Sequence, residues 1–368
     1  MAVHLEHEFR SDFLGPFGIM HQMWTLPSDS DAEFLEQTID DIRLGDELGY
    51  DSVWIAEHHY VRDAPFYSRL PDPEILIARL IGETQRIRLA TGIKILYLDE
   101  PARVVERLRL LDILSGQRVL YGLGQGSPDE LGTIKLTTEE RRQGFRAKLR
   151  DFSRYLETGR ITDEVRIVPN VEVPASATIW VGVRDSVTIA QAAELGMNFI
   201  VGEAEPGVRQ AKLISAYRDA GGTGETRGAR LVCVAETEEE AFQAAVAPGR
   251  RLFDQFSGQG YYQEAVAAGA LPEEHPRDLR EMLERIEYVV GTPDVVAEQL
   301  AAYVATTGVD ALNILVHSPG MEAAAARRSL ELFAVEVAPR LLRLPIFGGD
   351  GTTAVELTVP RHGGVPQC

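Results

Sequence analysis

Glu57, His58 and His59 follow directly on the apolar run Ser52-Val53-Trp54-Ile55-Ala56. A carboxylate beside two imidazoles, placed where a buried strand stops, is suited to proton transfer near neutral pH. In parallel α/β proteins the chemistry sits at the carboxyl ends of the strands, which is where these three residues arrive. Neighbouring residues past a strand point in different directions, and no H-x-H, H-E-x-x-H or C-x-x-C pattern occurs in the chain, so no metal is expected. Glu57 could orient an imidazole or hold a backbone turn, and its plainer reading is a buried carboxylate satisfied by loop amides.

Two further clusters carry binding chemistry. In Tyr121-Gly122-Leu123-Gly124-Gln125-Gly126-Ser127, alternating glycines after a strand let the backbone approach a flat ligand or a phosphate. The spacing is G-x-G-x-G rather than G-x-G-x-x-G, so it is a poor dinucleotide fingerprint, and tight packing is its other use. Val183-Arg184-Asp185-Ser186-Val187-Thr188 lies between a strand and a helix, with Ser186 read as the N-cap. Free amides at Val187 and Thr188, with Arg184 and two hydroxyls nearby, suit a phosphate; an ordinary cap with an exposed arginine is the alternative. Met20, His21, Met23 and Trp24, at the end of a first apolar run, are candidate substrate contacts or mouth packing.

These clusters need a scaffold that gathers strand ends. Apolar runs predict strands at 17–20, 52–56, 87–96, 119–123, 178–183, 198–201, 229–235 and 311–316. Between them, helical periodicity predicts helices at 31–48, closed by Gly49, and at 72–84, 101–114, 138–157, 187–195, 208–220, 238–246, 293–306 and 323–342. Eight strand–helix units running one way predict a (β/α)8 TIM barrel over residues 1–344, with a doubly wound open sheet as the rival. Residues 164–174 alternate as a small hairpin would. Residues 248–291 exceed an ordinary connection, and Phe253, Phe256, Gly258, Gly260, Tyr261 and Tyr262 suggest a lid inserted late in the barrel. The Gly-, Pro- and Thr-rich segment 345–368 is expected to be a tail.

The net charge of −19 argues against nucleic-acid or anionic-membrane partners, though not against an anionic cofactor held locally. Two distant cysteines, Cys233 and Cys368, form no disulfide framework. No apolar run of about 18 residues occurs, and the first ten residues lack a signal-like core, so a soluble cytoplasmic protein is expected.

Taken in order, these segments resemble the bacterial luciferase-like flavin-dependent monooxygenases from about Phe17 to Leu342. The resemblance rests on Gly49–Tyr60, Thr91-Gly92-Ile93 with Pro101 after it, Leu111–Arg118, Gly122–Gly126, Ala192-Ala193-Glu194-Leu195-Gly196 and Gly291-Thr292-Pro293. It implies a cofactor at the barrel top, reduced FMN or alternatively the deazaflavin F420. It implies that His58 is the catalytic histidine, transferring a proton in the formation and use of a peroxyflavin. Gly92, Ile93, Gly124 and Gln125 then lie by the flavin, with a non-proline cis peptide at Gly92–Ile93, and Arg184, Asp185, Ser186 and Thr188 form the phosphate turn. Three residues depart from the family's pattern: Gln125 replaces an arginine, Asp185 a serine and Glu100 a histidine. The implied activity is a two-component monooxygenase acting on an aldehyde, ketone or aromatic substrate, fed by a separate flavin reductase and built as a homodimer. F420-dependent hydride transfer and a non-catalytic flavin-binding relative are the alternatives.

Overall fold

Strand formation follows the short β-branched and aromatic runs. The computed structural model describes residues 14–60, 66–127, 134–258, 261–267, 269 and 271–347. Its barrel strands are β1 (Phe17–His21), β2 (Ser52–Ile55), β3 (Arg88–Ile95), β4 (Val119–Gly124), β5 (Ile179–Gly182), β6 (Asn198–Ile200), β7 (Thr226–Val234) and β8 (Ala311–Leu315). Each pairs in parallel with the next, β6 with β7 at Phe199↔Thr226 and β8 with β1 at Phe17↔Leu312, so the sheet closes on itself. This is the (β/α)8 barrel that the eight units predict, and closure removes both sheet edges.

The period of two along each strand decides what faces where. On β1, Phe17 and Ile19 join Val53, Ile55 and Leu89 against the surrounding helices. Met20 points inward with Trp54, Ala90, Leu120, Trp180 and Leu231. Trp54 and Trp180 meet edge to face at 5.2 Å and plug the interior. Cys233 on β7 belongs to the same inner cluster, its thiol 3.6 Å from the Ala241 carbonyl.

Local signals set the helix ends. Asp31–Leu48 starts at Ser30, whose side chain accepts from the Glu33 amide, and stops at Gly49 with φ 86°. Thr138–Thr158 opens with a reciprocal Thr137–Glu140 capping box.

Several expectations change. Helix Glu238–Gly258 runs straight through Pro248, because Ala241, Ala245, Pro248, Leu252 and Phe256 continue one buried face whose packing outweighs a lost amide hydrogen bond. The 248–291 segment is therefore mostly helical, continuing as Tyr261–Ala267 and Leu279–Arg285, and it ends in a ninth strand, Val289–Gly291, beside the end of β7. Gly260 lies outside the described residues. The 164–174 hairpin is reduced to a single Arg160–Arg166 bridge. The two-residue strands Trp24–Thr25 and Tyr67–Ser68 pair antiparallel. Past 344, Pro345–Phe347 forms a turn that seats Phe347 on Phe17 at 5.3 Å; 348–368, with Cys368, lies outside the described residues.

Candidate active site

Past the end of β2 the chain turns, its path held by Ala56 N–H donating to the His21 carbonyl (3.0 Å) and His58 N–H to the Leu70 carbonyl (2.9 Å). Glu57 is buried, at 3% exposed. It accepts from Lys94 Nζ at 3.1 Å and lies 2.9 Å from His59 Nε2. Glu57 thus holds the His59 imidazole and is at the same time a buried carboxylate, satisfied by a lysine and an imidazole instead of loop amides.

Lys94 reaches this point because β3 bulges: its register against β4 shifts between Thr91 and Lys94. Nζ also meets Glu74 at 3.1 Å and Asp99 at 2.9 Å, Arg107 bridges those same two carboxylates, and Tyr121 donates to Glu74 at 2.7 Å. Burial pulls the Lys94 ammonium down, but Glu57, Glu74 and Asp99 outweigh it and hold its pKa above the ordinary value. Burial also pushes the Glu74 carboxyl up, against Lys94 and Arg107.

The Gly92–Ile93 peptide within this bulge is cis. A Cβ on Gly92 would sit 2.7 Å from Trp54 Cβ and 2.8 Å from its carbonyl carbon; one on Gly124 would sit 2.2 Å from Ile93 Cδ1. The β4 glycines therefore make room for Ile93, and Gly124 packs beneath the bulge instead of lining the cavity above it. Gly92→Ala forces a clash with backbone and should cost about 1–3 kcal/mol of stability in urea unfolding. Gly82→Ala, whose nearest neighbour would be 3.9 Å away, is the control and should cost nothing comparable.

A cavity of about 1080 Å³ opens at the strand ends, and His58, Gly92, Ile93, Gln125, Arg184, Met20 and Trp24 all line it. His21 and Met23 do not. His21 falls on the outward face of β1, where it stacks on His317 at 4.4 Å; burial, with His317 beside it, holds its pKa well below the usual value. Met23 turns the chain at φ 58° and is buried in the outer core. The period of two that puts Met20 inside removes His21 from the substrate candidates, and Met23 leaves with the turn.

The turn after β5 also differs from expectation. Asp185, not Ser186, is the N-cap: its Oδ1 accepts from Thr188 N–H at 3.0 Å and from Thr188 Oγ1 at 2.8 Å. A carboxylate caps and answers the helix dipole at once, which a hydroxyl one residue later cannot do. Asp185 faces Arg146 at 3.4 Å and Arg142 at 3.8 Å and does not itself line the cavity. Ser186 and Thr188 do not line the cavity either, and Arg184 is paired with Glu205.

The pattern of the luciferase-like monooxygenases matches residues 16–311. The chain belongs to that family. It is an enzyme of the oxidoreductase class. It is 24% identical over 326 residues to N-acetyl-S-alkylcysteine monooxygenase of Bacillus subtilis, covering 82% of this chain and 92% of the relative. Among solved structures it resembles the FMN-bound oxygenating constituent of 3,6-diketocamphane monooxygenase from Pseudomonas putida, with TM-score 0.72, 20% identity and coverage of 89% and 99%. It also resembles the F420-dependent tetrahydromethanopterin reductase of Methanopyrus kandleri, with TM-score 0.60, 18% identity and coverage of 89% and 99%. At those identities the two structures establish the fold alone.

Around the mouth of this luciferase-like barrel lie residues that the sequence reading passed over. Gln22 and Glu203 line the cavity with His58, and the first turns of Thr138–Thr158 add Arg141 and Arg142. His58 Nε2 is 3.2 Å from Gln22 Oε1, and Gln22 Nε2 donates to Glu203 Oε1 at 3.0 Å. Burial pushes the Glu203 carboxyl above its ordinary pKa, and Glu205 adds to the effect. Glu203 was findable: it follows β6 as Glu57 follows β2, and the same rule about strand ends applies. Among the described residues no group of three or more His, Cys, Asp or Glu can hold a metal ion, and no helix is long and apolar enough to cross a membrane.

Proposed function

We propose that this chain uses reduced FMN, delivered by a separate reductase, to insert one atom of dioxygen into a small organic substrate, an aldehyde, ketone or aromatic ring. The observation that carries the reading is His58 facing the same cavity as the Gly92–Ile93 bulge.

The wall fits a flavin. Ile93 and Gly92 give a smooth apolar backing for a ring system, and the neighbouring glycines keep it low. Gln125 Oε1 is buried without a hydrogen-bond partner among the described residues, an acceptor suited to a donor on a bound cofactor. Arg142 and Arg184, which line the cavity, are the cations for its phosphate. When bound, reduced FMN supplies the two electrons that activate oxygen. His58 then gives and takes the proton at the reacting centre, held through Nε2 by Gln22. Met20, Trp24, Phe66 and Phe256 form an apolar wall that receives the substrate and keeps water out. The 248–291 segment is the cover in this reading, since Arg251, Asp254, Gln255 and Phe256 reach the cavity from its first helix. A cytoplasmic homodimer belongs to the same reading, supported by the exposed Leu110, Ile113 and Leu114 on one helix.

Anaerobic mixing with reduced FMN, followed by rapid addition of oxygen, tests the proposal. A long-lived absorbance band distinct from that of oxidised FMN is expected. Reoxidation at the rate of free flavin would overturn it, and F420 binding would then favour hydride transfer instead.

A further inference from the structure

Gln22 stands just past β1 and Glu203 just past β6, three strands away around the barrel, so the bond between their side chains reaches across part of the mouth. With His58, past β2, they form a three-membered chain along the cavity: imidazole, amide, carboxylate. We propose that Glu203 is a positioning residue that, through Gln22, places the proton of the neutral His58 ring on Nε2. The inference rests on His58 being the proton-handling group of the proposed reaction.

The argument is one of hydrogen-bond direction. An amide has a donor end and an acceptor end, and an ionised carboxylate only accepts. Glu203 Oε1 at 3.0 Å therefore demands the NH₂ end of Gln22, which leaves the amide oxygen toward His58 Nε2 at 3.2 Å. An oxygen there accepts, so Nε2 must donate, and the basic lone pair of the neutral imidazole falls on Nδ1. A protonated Glu203 reverses this logic. Its hydroxyl donates to the amide oxygen, the NH₂ end turns to His58, and the proton moves to Nδ1. The charged groups that face Glu203 are Glu205 and Arg184, while Arg230 donates to its backbone carbonyl at 3.2 Å. The polar chain is well sheltered: Glu203 is buried, and Gln22 also lies against Met20, its Nε2 3.9 Å from the sulfur.

A carboxylate at this place thus sets which nitrogen of the histidine can remove a proton, acting through Gln22. Glu203→Gln breaks the rule while keeping the shape, because an amide can present either end to Gln22. The variant should fold, since burial already disfavours the ionised form of Glu203. Gln22→Leu removes the link altogether and is the second variant.

The experiment is NMR on the cofactor-free protein labelled with nitrogen-15 at histidine. His58 is identified from the signals missing in His58→Asn. Near neutral pH the wild type should show the Nε2–H tautomer, and both Glu203→Gln and Gln22→Leu should turn it into a mixture of the two. A wild-type ring protonated on Nδ1, or a tautomer unchanged in both folded variants, would overturn the inference. Neither outcome depends on flavin, so failure here is distinct from failure of the oxygen-reaction test.

Discussion

Lys94→Met is expected to destabilise the protein by about 3–5 kcal/mol, the usual cost of stripping one partner from a buried ion pair. Methionine nearly matches the lysine in volume, so the loss would not come from a cavity. It would come from charge. Lys94 is 2% exposed and touches three carboxylates, and Arg107 can stand in for it only at Glu74 and Asp99. Glu57 would keep His59 alone. Solvent cannot rescue it at 3% exposure. The prediction has a sharper form. Glu57→Gln in the Lys94→Met background should recover part of the loss, since an amide costs far less to bury than a lone carboxylate. Urea unfolding of the wild type, both single variants and the double variant measures the coupling. A Lys94→Met cost below about 1 kcal/mol, the range of exposed pairs, would mean that the cluster carries no such charge balance.

The second large effect is on turnover. His58→Ala should lower the rate with an accepted carbonyl or aromatic substrate by about 10²–10⁴, the ordinary contribution of a positioned acid or base. Stability should change little, because His58 contributes no core packing and its backbone bond to Leu70 survives the substitution. Flavin affinity, followed by fluorescence quenching, should also be nearly unchanged. Lys94→Met and His58→Ala therefore separate two roles that the sequence places close together: Glu57 and His59 tie the loop to a buried charge cluster, whereas His58 alone faces the polar chain across the mouth. Turnover unchanged in His58→Ala would move the proton-transfer role to another cavity residue.

The barrel was legible because each strand is a short apolar run set off by turns and helices, and period-two burial needs only local residue order. The three-residue Val289–Gly291 escaped because so short a run carries no period of its own. Pro248 misled for a different reason: a backbone rule suggested a break, and side-chain burial on both sides of it overrode the rule. In the site, His58 and the Gly92–Ile93 bulge were visible as local motifs. The His58–Gln22–Glu203 chain was not, because its members stand 36 and 181 residues apart and meet only when β1, β2 and β6 share one rim. The same holds for Lys94, whose partners come from three separate segments. His21 shows the converse error, a chemically suitable residue on the wrong face of its strand.

Cys233 gives the closed barrel a quiet internal clock. Burial pushes its thiol up to about 12, and it is 1% exposed, so the reactive thiolate is scarce and shielded while the ring of strands stays shut. Alkylation at this position must wait for the packing around the thiol to open, which includes helix Glu238–Gly258, whose Ala241 carbonyl the thiol faces. The speed of that modification is therefore a measure of how often this packing opens, read at one atom and without any denaturant.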